Sequence, residues 1–95
     1  MPFSKKIVLH CKSGYRPELD ALIEQFLSTG VIYVGVVGPD ASRIEDIIDE
    51  ICVGDGTNPR YLLTANHEGE SVAVAVDFAN SLIQEYAGDT QVVEF

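Results

Sequence analysis

The sequence predicts an α/β fold, a three-layer α/β/α sandwich in the order βαβαβαβ with a mostly parallel four-stranded sheet, formed by residues 1–95 as a single domain. Short apolar runs alternate with stretches whose apolar side chains recur every three or four positions, the patterns of strands and amphipathic helices in turn. The run VIYVGVVG at 31–38 is apolar almost throughout and mostly β-branched, as a strand covered on both faces requires. Glycine, proline and aspartate punctuate the joins between these segments.

Taken in order, KIVLHC at 6–11 reads as the first strand. From Pro17 the spacing Leu19, Leu22, Ile23, Phe26, Leu27 makes a helical stripe. Pro17 suits the first helical position, Glu18 and Asp20 suit the positive end of the helix dipole, and Gly30 ends the segment. After the second strand, Gly38 to Ser42 turns the chain, with Asp40 or Ser42 as N-cap of a helix whose stripe is Ile44, Ile47, Ile48, Ile51, Cys52. The turn-rich connection 54–59 leads to a third strand at 61–67. Residues 71–86 alternate like a strand at Val72, Val74 and Val76, yet Ser71 as cap, the alanines and the closing Gly88 favour a helix of about 16 residues. A short last strand at 91–95 is expected at a sheet edge, where it could pair with a second copy to make a homodimer.

A chain of 95 residues with 46% apolar content can bury a core without disulfides or metal. Fifteen acidic and six basic residues give a net charge of −9, which opposes binding to nucleic acid or an anionic membrane and favours a basic protein partner. Cys11 and Cys52 have no metal-ligand spacing, and the two histidines stand far apart, so no metal, cofactor or disulfide is expected. No apolar stretch is long enough for a membrane span or a secretory leader, and the expected location is cytoplasmic.

The stretch VLHCKSGYR carries the clearest chemical possibility. Cys11, Gly14 and Arg16, set between a strand and a helix, resemble the C-x-x-G-x-R active loop of rhodanese-type sulfurtransferases over residues 7–30. That resemblance implies a Cys11 thiolate that carries sulfur, with Lys12, Ser13, Gly14 and Arg16 forming an anion loop. Physically, amides converging at a helix start, with a cation beside them, lower a thiol pKa. The same loop suits a small anion without covalent chemistry. His10-Cys11 also opens like a cysteine phosphatase loop, but only four residues separate Cys11 from Arg16 where that loop has five.

If the strand order is 2-1-3-4, His67 ends a strand next to Cys11 and could act as its base, oriented by Asn66 or Glu68. Otherwise His67 is expected to face solvent. Cys52 completes an apolar stripe and belongs in the core. Glu45, Asp46, Asp49 and Glu50 lie opposite that stripe, and like charges at this spacing repel by a few tenths of a kcal/mol, roughly, per pair. A basic partner would relieve that repulsion. The expected function is therefore a non-catalytic protein-interaction module acting through this face, with thiol chemistry or anion binding at Cys11 to Arg16 as the alternative.

Overall fold

A computed structural model describes residues 3–57 and 59–95; Asn58, in the turn-rich connection, lies outside the described residues. Strand alternation in β1 (Lys6–His10) sends Ile7 and Leu9 to one side of the sheet and Lys6 and Val8 to the other. Strand β2 (Tyr33–Val37) is buried at every position, dividing Val34 and Val36 from Tyr33 and Val37 in the same way. Strands β3 (Leu63–Asn66) and β4 (Thr90–Glu94) complete a sheet of order β3-β2-β1-β4, with every pairing parallel.

Helices α1 (Leu19–Ser28) and α2 (Ala41–Val53) cover the Ile7 and Val34 side, where Leu19, Ile23, Phe26, Ile44 and Ile48 are fully buried. Each such side chain contributes roughly 1.5–3 kcal/mol relative to exposure. Helix α3 (Val72–Asn80) covers the opposite side through Ala75 and Ala79. Crossover handedness explains the division. The steps from β1 to β2 and from β2 to β3 run the same way across the sheet, whereas the step from β3 to β4 runs back, so a right-handed crossover puts its helix on the other face. The β-α-β-α-β-α-β sandwich expected of the sequence is thus the one observed, and no helix among the described residues is long and apolar enough to cross a membrane.

Several details depart from the expectation; α1 begins at Leu19 with Glu18 as its N-cap, so Pro17 precedes the helix rather than opening it. The strand order is 3-2-1-4, so β2 separates β1 from β3. The last helix stops at Asn80 rather than continuing to Tyr86, because Ile83 is extended and Gln84 takes a positive φ before a single 3-10 turn at Gln84–Tyr86. Ser71 caps that helix as expected, accepting from Val74 N, and Leu82 and Tyr86 still pack on the α3 side. Asp40 stands at the N-cap of α2 with φ 63° but makes no side-chain cap, and Glu68 instead accepts from Ser42 N at 3.2 Å. One buried charge crosses the layers: Lys6 Nζ donates to Ala79 O at 2.6 Å, where the carbonyl end of α3 favours a cation.

Gly38 joins β2 to α2 at φ 114°, and a Cβ there would collide with the carbonyl of Cys11. Gly38→Ala is expected to cost about 2 kcal/mol or more. Gly30→Ala, at φ 90° with open space around it, should cost only about 1 kcal/mol. Urea unfolding midpoints of the two variants check this order.

Candidate functional site

Sheets of this kind collect ligands at the carboxyl ends of their strands where the strand order reverses, which here is between β1 and β4. The loop Cys11 to Arg16 occupies that place, and several of its polar groups are already engaged within the chain. Cys11 N donates to Val37 O at 2.9 Å and Lys12 N to Phe95 O at 3.1 Å. Tyr15 N donates to Asp40 Oδ2 at 3.2 Å. Gly14, at φ 77°, lets this carboxylate approach, since a Cβ there would stand 2.5 Å from Asp40 Oδ2. Lys12 Nζ pairs with Glu94 at 3.0 Å, and the Arg16 guanidinium lies 4.2 Å from the centre of the Phe95 ring. A carboxylate of the chain itself thus meets the loop where an anionic ligand would.

Cys11 is 0% exposed and packs with Ile7, Leu9 and the apolar residues of α1 and α2. Burial pushes its thiol up to about 11, against a smaller lowering by Arg16. A sulfur nucleophile needs the opposite shift. Cys52 is also buried and likewise raised, chiefly by burial, so Cys11 behaves as its core counterpart rather than as a contrast to it.

The Cys11 and His67 pair does not form. β2 intervenes, and the two side chains lie on opposite faces of the sheet, Cys11 under α1 and α2 and His67 against Phe78 of α3. Nor does His67 face solvent. It is buried, its Nδ1 lies 2.8 Å from Glu70 Oε1, and its ring stands edge-on to Phe78 at 5.3 Å. Asn66 and Glu68 serve α2 instead, through Asn66 Nδ2 to Ser42 Oγ at 2.6 Å and the Glu68 contact with Ser42 N. His67 Nε2 and the Tyr33 hydroxyl are buried without a hydrogen-bond partner and face one point above Gly35. Burial raises the Tyr33 phenol to about 12.

The acidic side of α2 holds together as expected. Ala41, Ile44, Ile48 and Cys52 face inward, leaving Asp46, Asp49 and Glu50 exposed and Glu45 at the margin. Glu45 Oε2 accepts from Thr64 Oγ1 at 2.9 Å, which places this side of α2 along the outer strand β3. Among the described residues no Lys or Arg pairs with any of the four; Lys12 pairs with Glu94 and Arg60 with Glu24, and the rings of His10 and His67 lie beside Glu94 and Glu70. Asp49 is raised above the ordinary aspartate range by burial first, then by Glu45 and Asp46. Asp49 and Glu50 also border a shallow hollow with Val53 and Gly54. No metal-binding cluster of His, Cys, Asp or Glu occurs among the described residues.

The sequence reading missed Thr64, Leu63, Val74 and Phe78. The last three are large apolar side chains more than two-fifths exposed around β3 and α3.

Iodoacetamide at pH 8 should modify Cys11 and Cys52 about a thousandfold or more slowly in the folded chain than in urea; rapid labelling of Cys11 in the folded chain would contradict its burial. An unfolded thiol releases its proton near pH 8.5, roughly, and the folded Cys11 holds its own to about 11. Stability should therefore fall as pH rises through that window, and Cys11→Ala should flatten the decline in urea titrations.

No curated protein and no solved structure matches the chain. A family match spans residues 1–93, nearly the whole sandwich just described, and on it the chain belongs to the family described as "Domain of unknown function (DUF7684)".

Proposed function

We propose that this chain is a non-catalytic interaction module that takes a basic protein partner on the carboxylates of α2 beside the edge of β3. The observation that carries the reading is the row of exposed carboxylates Asp46, Asp49 and Glu50, with Glu45 at its margin, to which no Lys or Arg pairs among the described residues. Keeping like charges together at helical spacing costs the free protein stability, and a cationic partner recovers it. Cys11 offers weaker support for a sulfur-transfer enzyme, since its thiol is buried and raised and Asp40, Glu94 and Phe95 engage part of its loop. The same internal carboxylate weighs against a small anion at Lys12 to Arg16. Two unpaired thiols suit a reducing compartment such as the cytoplasm.

Affinity capture with the purified chain should recover basic proteins, with retention that declines as salt rises. Asp46→Lys with Asp49→Lys should weaken that retention roughly tenfold. An unchanged set of captured proteins, or one of acidic proteins, would contradict the reading.

A further inference from the structure

We propose that the outer edge of β3 receives an extended segment of the partner, one in which apolar and basic side chains alternate, as a fifth strand of the sheet. The proposal rests on the interaction reading above and names the form of its ligand.

The main chain supplies the first argument. Leu63 N donates to Ile32 O at 3.0 Å and His67 N to Val36 O at 2.9 Å, so residues of that parity face β2. Alternation then turns the amides and carbonyls of Thr64 and Asn66 away from the sheet, toward an incoming strand. Natural edge strands are commonly guarded by lysine, proline or an inward charge. Leu-Thr-Ala-Asn contains none of these.

The two sides of this edge differ in chemistry. Helix α3 and the residues just after it cover their side of the sheet, and they leave Leu63 42%, Val74 45% and Phe78 46% exposed. Leu63 is paired with Tyr33, on which the Phe78 ring stacks, and Val74 lies one helical turn before Phe78. On the other side Glu45 leans over Thr64, and Asp49 follows one turn along α2. A strand added here has side chains pointing alternately to the two sides. Those on the α3 side meet Leu63 and Phe78; those on the α2 side meet Glu45 and Asp49. Alternating apolar and basic residues fit both. A second copy does not fit, because two-fold pairing of β3 edges would set Glu45 and Asp49 against their own counterparts in a chain of charge −9.

The test is fluorescence anisotropy with a short labelled peptide that alternates valine and lysine, against a peptide of the same composition with all lysines grouped at one end. The alternating peptide should bind the full chain at least about tenfold more tightly. Thr64→Pro removes an outward N–H without costing an internal ladder bond and should abolish that preference. Thr64→Val, which keeps the N–H and loses only the hydroxyl, should retain it, and Leu63→Lys should weaken binding about tenfold. Unchanged urea midpoints show that each variant folds. Equal binding of both peptides, indifferent to Thr64→Pro but lost in Asp46→Lys with Asp49→Lys, would overturn strand addition and leave the acidic-face reading standing. If neither peptide binds, both readings are overturned. Self-association of the free chain that Thr64→Pro removes would assign the edge to a second copy and overturn the proposal.

Discussion

The handedness of the β3 to β4 crossover shapes the rest of this molecule. Because that connection runs back across the sheet, α3 must lie on the face opposite α1 and α2, and one helix is left to cover what two cover on the other side. A helix about 10 Å wide spans roughly two strands spaced about 4.8 Å apart. Helix α3 packs on β1, β2 and β4, and the side of β3 facing it stays partly open. The exposed Leu63, Val74 and Phe78 are thus a consequence of topology acting on a short chain.

The same topology determines what the strand ends can do. At the reversal between β1 and β4, where a ligand would ordinarily settle, Asp40 contacts the Tyr15 amide, Glu94 holds Lys12, and Phe95 lies beneath Arg16. The chain places its own groups in the crevice, and Cys11 below it joins the aliphatic core. At β3 the opposite holds. No Lys or Arg among the described residues pairs with the carboxylates of α2, apolar side chains are half uncovered, and the sheet ends in open main chain. Unfinished interactions gather on this edge.

Local pattern made much of this legible in advance. The alternation of Ile7 and Leu9, the Ile44 and Ile48 stripe and the Ser71 cap all follow from periodicity and capping, which act between near neighbours. The acidic side of α2 was readable for the same reason. Strand order was not, because it depends on contacts between segments distant in sequence, and the Cys11 and His67 pairing fell with it. The fate of Cys11 was also hidden. A strand, a glycine turn and a helix start look alike whether the sulfur meets amides or aliphatic side chains, and the depth of Cys11 depends on Ile44 and Ile48 from α2. The early end of α3 turned on the backbone at Ile83 and Gln84, which a helical stripe continuing through Tyr86 conceals.

Amide hydrogen exchange in the free protein, resolved residue by residue by NMR, tests the open edge most directly. Leu63, Ala65 and His67, whose parity faces β2, should exchange slowly, while Thr64 and Asn66 between them exchange at rates close to those of an unfolded chain. Uniform strong protection from Leu63 to His67 would mean that the edge of β3 is already occupied, and would contradict the account.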